Sequence, residues 1–398
     1  MIDLYLLSVI LFFAILGIVI YRDRKNIDFK YILLMRRTKR FRNVLDRIAS
    51  KSVRFWKVLG TIAFLVCMFF LIYGTWNIIN IAYLIYTGLR LPGPAVSIAL
   101  PIPSQQVVVG PGFIGIPFWF WIIAVSIILV PHETFHGIIA RAEKIKLKDV
   151  GLLLLAIFPG AFVEPDEKQI KKSKLMTRLR IFSAGSFINI TIGFLVILLV
   201  QNLLWVPNVN GIMITSVNET SPAGFVGLKP GMILESIDGK QTSINFYDYA
   251  FLSLTIEGSN TENITDYMSH IVLFSLLSQY NPGDTVKINV DGNNYDITLD
   301  ENPQVSGLAY IGIDSRTNVS DISLFYVAFP LFGMIASLSI LVGIFNILPI
   351  YPLDGGLIVQ AIAERFSKKR YQQITMTITI FVLMILLFTF IAPMLQNL

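Results

Sequence analysis

One cysteine, three histidines and only 15% charged residues are spread over 398 positions. The lone cysteine, Cys67, excludes an intrachain disulfide, so cysteine usage is silent on compartment. The shortage of charge, set against 54% hydrophobic residues and a mean hydropathy of +0.66, excludes an ordinary soluble protein. A large soluble helical protein would need amphipathic runs. The long runs here, at about 3–21, 57–80, 113–136, 181–204, 322–350 and 372–394, are apolar on every side. Each comes near the roughly 20 residues that a bilayer core of about 30 Å demands of a helix. The sequence therefore predicts a polytopic α-helical membrane protein with about six transmembrane helices, its partner being the lipid bilayer. The first run has no small-residue cleavage site and is read as a retained helix, not a signal peptide.

The charges that are present are unevenly spread. Residues 22–57 carry thirteen Lys/Arg against three Asp. Residues 141–180 and the loop with Arg365, Lys368, Lys369 and Arg370 are also basic, whereas residues 204–322 hold four Lys/Arg against fourteen Asp/Glu. By the positive-inside rule the three basic loops are expected on the cytoplasmic side, and both termini and the acidic segment outside. All five tryptophans (Trp56, Trp76, Trp119, Trp121, Trp205) fall at ends of expected spans, as interfacial anchors should. In the first basic loop Phe41, Val44, Leu45 and Ile48 form one helical face, read as a basic amphipathic helix lying on the cytoplasmic leaflet. No motif supports a nucleic-acid partner.

Four regions follow from the pattern. Residues 1–112 hold two spans, the basic loop and an outer Pro/Gly-rich stretch, "PGPAVSIALPIPSQQVVVGPGFIGIP" (92–117), that cannot be a helix. Residues 113–204 hold two more spans separated by "VGLLLLAIFPGAFV" (150–163), too short to cross a bilayer. This segment is either re-entrant from the cytoplasm or interfacial. Residues 205–320 have the composition of an α+β domain, with short β-like runs and Asp-Gly turns. Residues 321–398 hold the last two spans. Within the third region, "SPAGFVGLKPGMILESIDGK" (221–240) predicts a short helix, a strand and a tight turn. That spacing resembles a PDZ domain of the protease-associated type, with 241–280 as an insertion. PDZ domains commonly take an extended peptide or chain terminus by strand addition.

Two of the three histidines stand at the end of an apolar run, in "VPHETFHG" (130–137). On a helix, positions i and i+4 present side chains side by side, so His132 and His136 can give two nitrogens to one Zn2+. Glu133, one position on, can reach a metal-associated water as general base. An ionisable glutamate inside an apolar helix is expensive and marks a functional site. A catalytic zinc usually has three protein ligands. His270 belongs to the acidic outer segment, which leaves Asp354, in "FNILPIYPLDGG" (345–356), as the other candidate. Pro349 and Pro352 break the helix there and Gly355-Gly356 let the chain turn tightly.

"HETFH" and "FNILPIYPLDGG" together resemble the site-2 protease family of intramembrane zinc metalloproteases, peptidase family M50. "FPGAFVEPDE" (158–167) and "RLRIFSAGSFINI" (178–190) are also similar to its archaeal and eukaryotic-like branch. The resemblance covers roughly 113–370. It implies one zinc per chain held by His132, His136 and Asp354, Glu133 as the base, and Asn346 and Asn189 helping to hold substrate or polarise its carbonyl. It further implies transmembrane protein substrates, regulated intramembrane proteolysis, and an outer PDZ-like domain that screens them. Gly160, Ala161, Phe162 and Val163 are expected to offer an edge strand to an unwound substrate. Many bacterial members begin with the H-E-x-x-H helix, whereas two spans and a basic loop precede it here, so residues 1–110 inherit no role. A metal-binding membrane transporter and an inactive membrane scaffold are the alternatives. The first would need polar residues lining a path across the bilayer, and the second has no need of Glu133.

Overall fold

The computed structural model describes residues 4–30, 33–89, 94–95, 98–105, 107–110, 112–155, 158–205, 209–246, 261–303, 305, 307–319 and 328–396. The chain divides into two compact units. The first comprises Met1–Gln105, Val109–Phe194 and Ile335–Leu398, and the second comprises Gln106–Val108 and Leu195–Met334.

The elements of the first part of the chain are α1 (Leu4–Asp23), β1 (Ile27–Lys30), β2 (Leu33–Arg37), α2 (Lys39–Lys51) and α3 (Val53–Tyr86). Next come β3 (Ile98–Ile102), β4 (Val108–Gly110), β5 (Phe113–Pro117) and α4 (Phe118–Ala142). They are followed by β6 (Leu147–Leu155), β7 (Phe158–Pro165), α5 (Glu167–Lys172) and α6 (Leu175–Val200). Six helical segments are long and apolar enough to cross a membrane among the described residues: Leu4–Asn26, Val53–Tyr86, Phe118–Ala142, Leu175–Leu204, Phe329–Ile347 and Tyr371–Leu395. Their number and order are those expected from the apolar runs. Their burial differs widely, from 6% of the Leu4–Asn26 window to 56% of the Phe329–Ile347 window, so the fifth segment is interior and the first peripheral.

Three expectations are revised. The third span was expected over 113–136 but starts at Phe118 and runs to Ala142, because Phe113–Pro117 is a strand paired in parallel with β3. The Pro/Gly-rich stretch thus carries short strands where an irregular loop was expected; "IALPI" and "FIGIP" have apolar residues enough to pair. The amphipathic helix in the basic loop is present as α2, but its most buried residues, Leu45 and Ala49, face protein. They pack with Ile138, Ile139, Val150 and Val163, so the apolar face serves the core of this unit as well as any leaflet.

Residues 150–155 and 158–163 lie in the antiparallel pair β6 and β7, which joins the antiparallel pair β1 and β2 in a four-stranded sheet of order β1-β2-β6-β7. Met35 stands opposite Leu153, and Leu153 opposite Gly160. The strand β7 is therefore an edge.

The second unit contains β8 (Val209–Val217), α7 (Pro222–Phe225), β9 (Ile233–Ile237), β10 (Lys240–Gln241) and α8 (Thr261–Leu277). It continues with β11 (Thr285–Val290), β12 (Asn293–Thr298), β13 (Asp300–Glu301), β14 (Ala309–Tyr310) and β15 (Ile313–Val319). Its main sheet has the order β12-β11-β9-β8-β15. Ile212 and Ile214 of β8 and Ile288 and Val290 of β11 alternate along their strands, and with Leu234 and Ile237, set on either side of an irregularity in β9, they form a core with Leu273 and Leu277 of α8. The short helix, strand and turn expected over 221–240 are present as α7, β9 and the Asp238-Gly239 turn. In that turn, as in Asp291-Gly292, both residues have positive φ. The expected boundary at 320/321 lies outside the described residues. The chain ends with α9 (Phe329–Ile347), α10 (Asp354–Phe366) and α11 (Tyr371–Gln396).

Candidate metal centre

The centre is built by α4, α6 and the start of α10. Within α4, His132 and His136 occupy one face, one turn apart, with Pro131 immediately before them in the helix. Asp354 is the first residue of α10, where the positive end of the helix dipole favours a carboxylate. Gly355 and Gly356 make its placement possible: a Cβ on either would collide with the backbone of Ile347–Leu348 or Ile350–Tyr351. The tight return from α9 into α10 thus depends on the two glycines.

Among the described residues, His132, His136 and Asp354 form a group whose ligand atoms all lie within 4.8 Å of one another. The two Nε2 atoms are 3.2 Å apart. His136 Nε2 is 3.4 Å from Asp354 Oδ1, and His132 Nε2 is 3.6 Å from Oδ2. A tetrahedral ion with bonds of about 2.0–2.1 Å, as Zn2+ has with imidazole and carboxylate, needs edges of about 3.3 Å. The donor set fits such an ion in type, number and spacing.

Helix α6 supplies the frame around these ligands. His136 Nδ1 is 2.7 Å from the Ile181 carbonyl oxygen, which can only accept, so Nδ1 carries the proton and Nε2 keeps its lone pair. Ser186 Oγ donates to Asp354 Oδ2 at 2.8 Å. Asn189, fully buried, places its amide 3.1 Å from His132 Nδ1. Gly185 lies between Ile181 and Asn189 on the helix, and a Cβ there would overlap the Nε2 atoms of both histidines. Positions 181, 185 and 189 recur every four residues, so they share one face of α6.

Glu133 is half-buried and accepts a hydrogen bond from the Val163 backbone N–H at 3.1 Å. This bond brings β7 against the glutamate. Because the Val163 N–H points away from β6, the alternation along a strand turns the backbone groups of Ala161 the same way. Gly160 and Phe162 present theirs toward β6. Asn346 sits half-buried in the last turn of α9, before the segment that leads to Asp354. His270 is exposed on α8, in the second unit.

Sequence reasoning alone overlooked Gly185, Ser186 and the Ile181 carbonyl. A signal was available: Ser183, Ser186 and Asn189 are polar residues inside an apolar helix, and all three are fully buried. Two ion pairs flank this frame. Arg180 of α6 pairs with the nearly buried Glu143 just past α4, at 2.6 Å, and Arg178 pairs with Glu364 of α10 at 2.5 Å. They tie α6 to both helices that carry ligands.

The chain is 27% identical over 368 residues to an uncharacterized protein of Methanocaldococcus jannaschii, covering 91% of this chain and 87% of that one. Among solved structures, the PDZ domain of an SdrC-like protein from Listeria monocytogenes matches with 23% identity. That match covers 29% of this chain and 93% of the domain, with a TM-score of 0.17, too low to carry an argument about fold. The sequence profile of peptidase family M50 matches residues 120–388, well over half the chain and including every residue of the His–His–Asp group. The chain belongs to peptidase family M50.

Proposed function

We propose that this protein is a zinc-dependent intramembrane protease that hydrolyses peptide bonds within or near transmembrane segments of membrane proteins. One observation carries the reading: two histidines and an aspartate stand at tetrahedral spacing, with the histidines and the adjoining glutamate on a helix apolar enough for a bilayer. When bound, zinc supplies Lewis acidity, which lowers the pKa of a water to about 7 and polarises a scissile carbonyl.

The chain's own residues do the rest. His132, His136 and Asp354 hold the ion, and Ser186 and the Ile181 carbonyl keep two of those ligands aimed. Glu133 takes the proton of the attacking water and hands it to the leaving amine. The Val163 N–H holds one oxygen of that carboxylate, fixing the direction of the other. A peptide bond in a helix is shielded, so a substrate must unwind, and the outward backbone groups of β7 at Ala161 offer it a strand to pair with. Asn346 is assigned to holding that segment. A transporter would need polar groups along a path, whereas His132, Ser186, Asn189 and Asp354 meet at one centre.

The test is cleavage of a single-span membrane protein by the purified chain in liposomes. Wild type should cut it, while Glu133→Gln and Asp354→Ala should not. Undiminished cutting by Glu133→Gln would sink the mechanism.

Orientation follows from charge: the basic loops face the cytoplasm, the centre lies near that face, and residues 205–320 are extracytoplasmic, forming a PDZ-like domain that screens substrates. Thr298 is exposed in the second unit, so in a Cys67→Ser background Thr298→Cys should react with an impermeant maleimide on intact cells. Protection from the reagent would reverse the topology. If the domain screens by size, trimming the outer part of a test substrate should raise its cleavage rate; equal rates would remove that role.

A further inference from the structure

His132 and His136 are held differently, and the difference turns on one amide. His136 donates its Nδ1–H to a backbone carbonyl, which frees Nε2 for the metal. With the Asn189 Nδ2 facing His132 Nδ1 at 3.1 Å, the imidazole would have to accept there and carry its proton on Nε2. That proton would point at His136 Nε2, 3.2 Å away, and occupy the lone pair a metal needs. In the same arrangement the Asn189 Oδ1 is buried with no hydrogen-bond partner among the described residues.

The two ends of a carboxamide have the same shape, so turning it half a revolution about its last bond exchanges them in place. Oδ1 then stands 3.1 Å from His132 Nδ1, accepts its N–H, and leaves Nε2 free. The donor end then takes the position of Oδ1, and the exchange is decided by the contact with His132.

We infer that Asn189 is a positioning residue of the metal centre: its Oδ1 accepts the His132 Nδ1–H, fixing the ring's plane and tautomer. Helix α6 then orients both histidines from one face, by a backbone carbonyl at Ile181 and a side-chain carbonyl at Asn189, two turns apart. This differs from the substrate-holding role that the family resemblance implies for Asn189, and it rests on the zinc reading above. Loss of such an outer hydrogen bond to a ligand histidine typically weakens metal binding by about 10–100-fold.

Two measurements on the full-length protein test it. The first is zinc affinity, by competition with a chromophoric chelator, for wild type, Asn189→Leu and Asn189→Asp. Asn189→Leu should bind zinc about 10–100-fold more weakly. Asn189→Asp, whose carboxylate accepts the same N–H, should stay close to wild type. At saturating zinc, Asn189→Leu should keep the wild-type KM. Wild-type zinc affinity in Asn189→Leu together with a raised KM would overturn the inference and return Asn189 to the substrate. A wild-type chain that binds no zinc would instead overturn the reading of the site itself. The second measurement needs no variant at this position. With three histidines in the chain, the spectrum of 15N-histidine-labelled, zinc-free protein is simple, and His132→Gln identifies the signal. His132 should be protonated at Nδ1; protonation at Nε2 would contradict the inference.

Discussion

The two units of this chain bury polar side chains for different purposes. In the second unit the buried hydroxyls of Ser221, Thr242 and Ser269 serve backbone groups. Ser221 caps α7 through the Gly224 N–H, Thr242 donates to the Leu234 carbonyl, and Ser269 donates to the Ser315 carbonyl at 2.8 Å. In the first unit Thr375 and Thr389 do the same within α11, but a further set of buried polar residues converges. His132, Ser186 and Asn189, with Glu133, His136 and Asp354 beside them, belong to one connected set drawn from α4, α6 and α10. Local pairs stabilise an element, whereas a convergent set in an apolar surround costs stability unless something binds there. The comparison locates the chemistry without reference to relatives.

Substitutions can break or sharpen that contrast. The largest effect is expected from Glu133→Gln, which should lower cleavage about 100- to 10,000-fold while leaving zinc bound, read by rate and metal content on the same sample. Gly185→Val should come next. Its side chain would fill the space against both Nε2 atoms, so zinc affinity should fall with the fold of the second unit unchanged, which limited proteolysis can follow. Ser186→Ala removes one hydrogen bond to Asp354 and should weaken zinc binding about 10-fold, at the low end of such effects. The smallest effect on the centre is expected from Ser221→Ala. It should destabilise the second unit by about 1 kcal/mol, the usual worth of a helix N-cap, and leave cleavage of a short single-span substrate unaltered. Were Ser221→Ala to abolish zinc binding, the division between the units would fail.

Much of this was readable in the amino-acid sequence. Six apolar runs mark six spans because lipid demands continuous apolar length, and "HETFH" and "PLDGG" carry their chemistry in residues that apolar helices otherwise avoid. The partnership of the strands was not readable. "IDFK" and "LLMRR" sit in a charged loop without clean alternation, and β2 finds its partner β6 more than a hundred residues away. A non-local pairing leaves little trace in one sequence. The role of α6 was hidden for a related reason: Ile181 acts through its carbonyl and Gly185 through the side chain it lacks. The end of α4 was misjudged because its last turn, "IIARA", follows the histidines and looks like the start of a polar loop.

The most direct measurement is X-ray absorption at the zinc edge of the purified Glu133→Gln protein, with metal content determined on the same sample. One zinc per chain, bound by two imidazole nitrogens and carboxylate oxygen with bonds of about 2.0–2.1 Å, is the expected result. Asp354→Ala should lose the metal or the carboxylate contribution. A chain without stoichiometric zinc, or one whose zinc environment is unchanged in Asp354→Ala, would contradict the assignment of the centre.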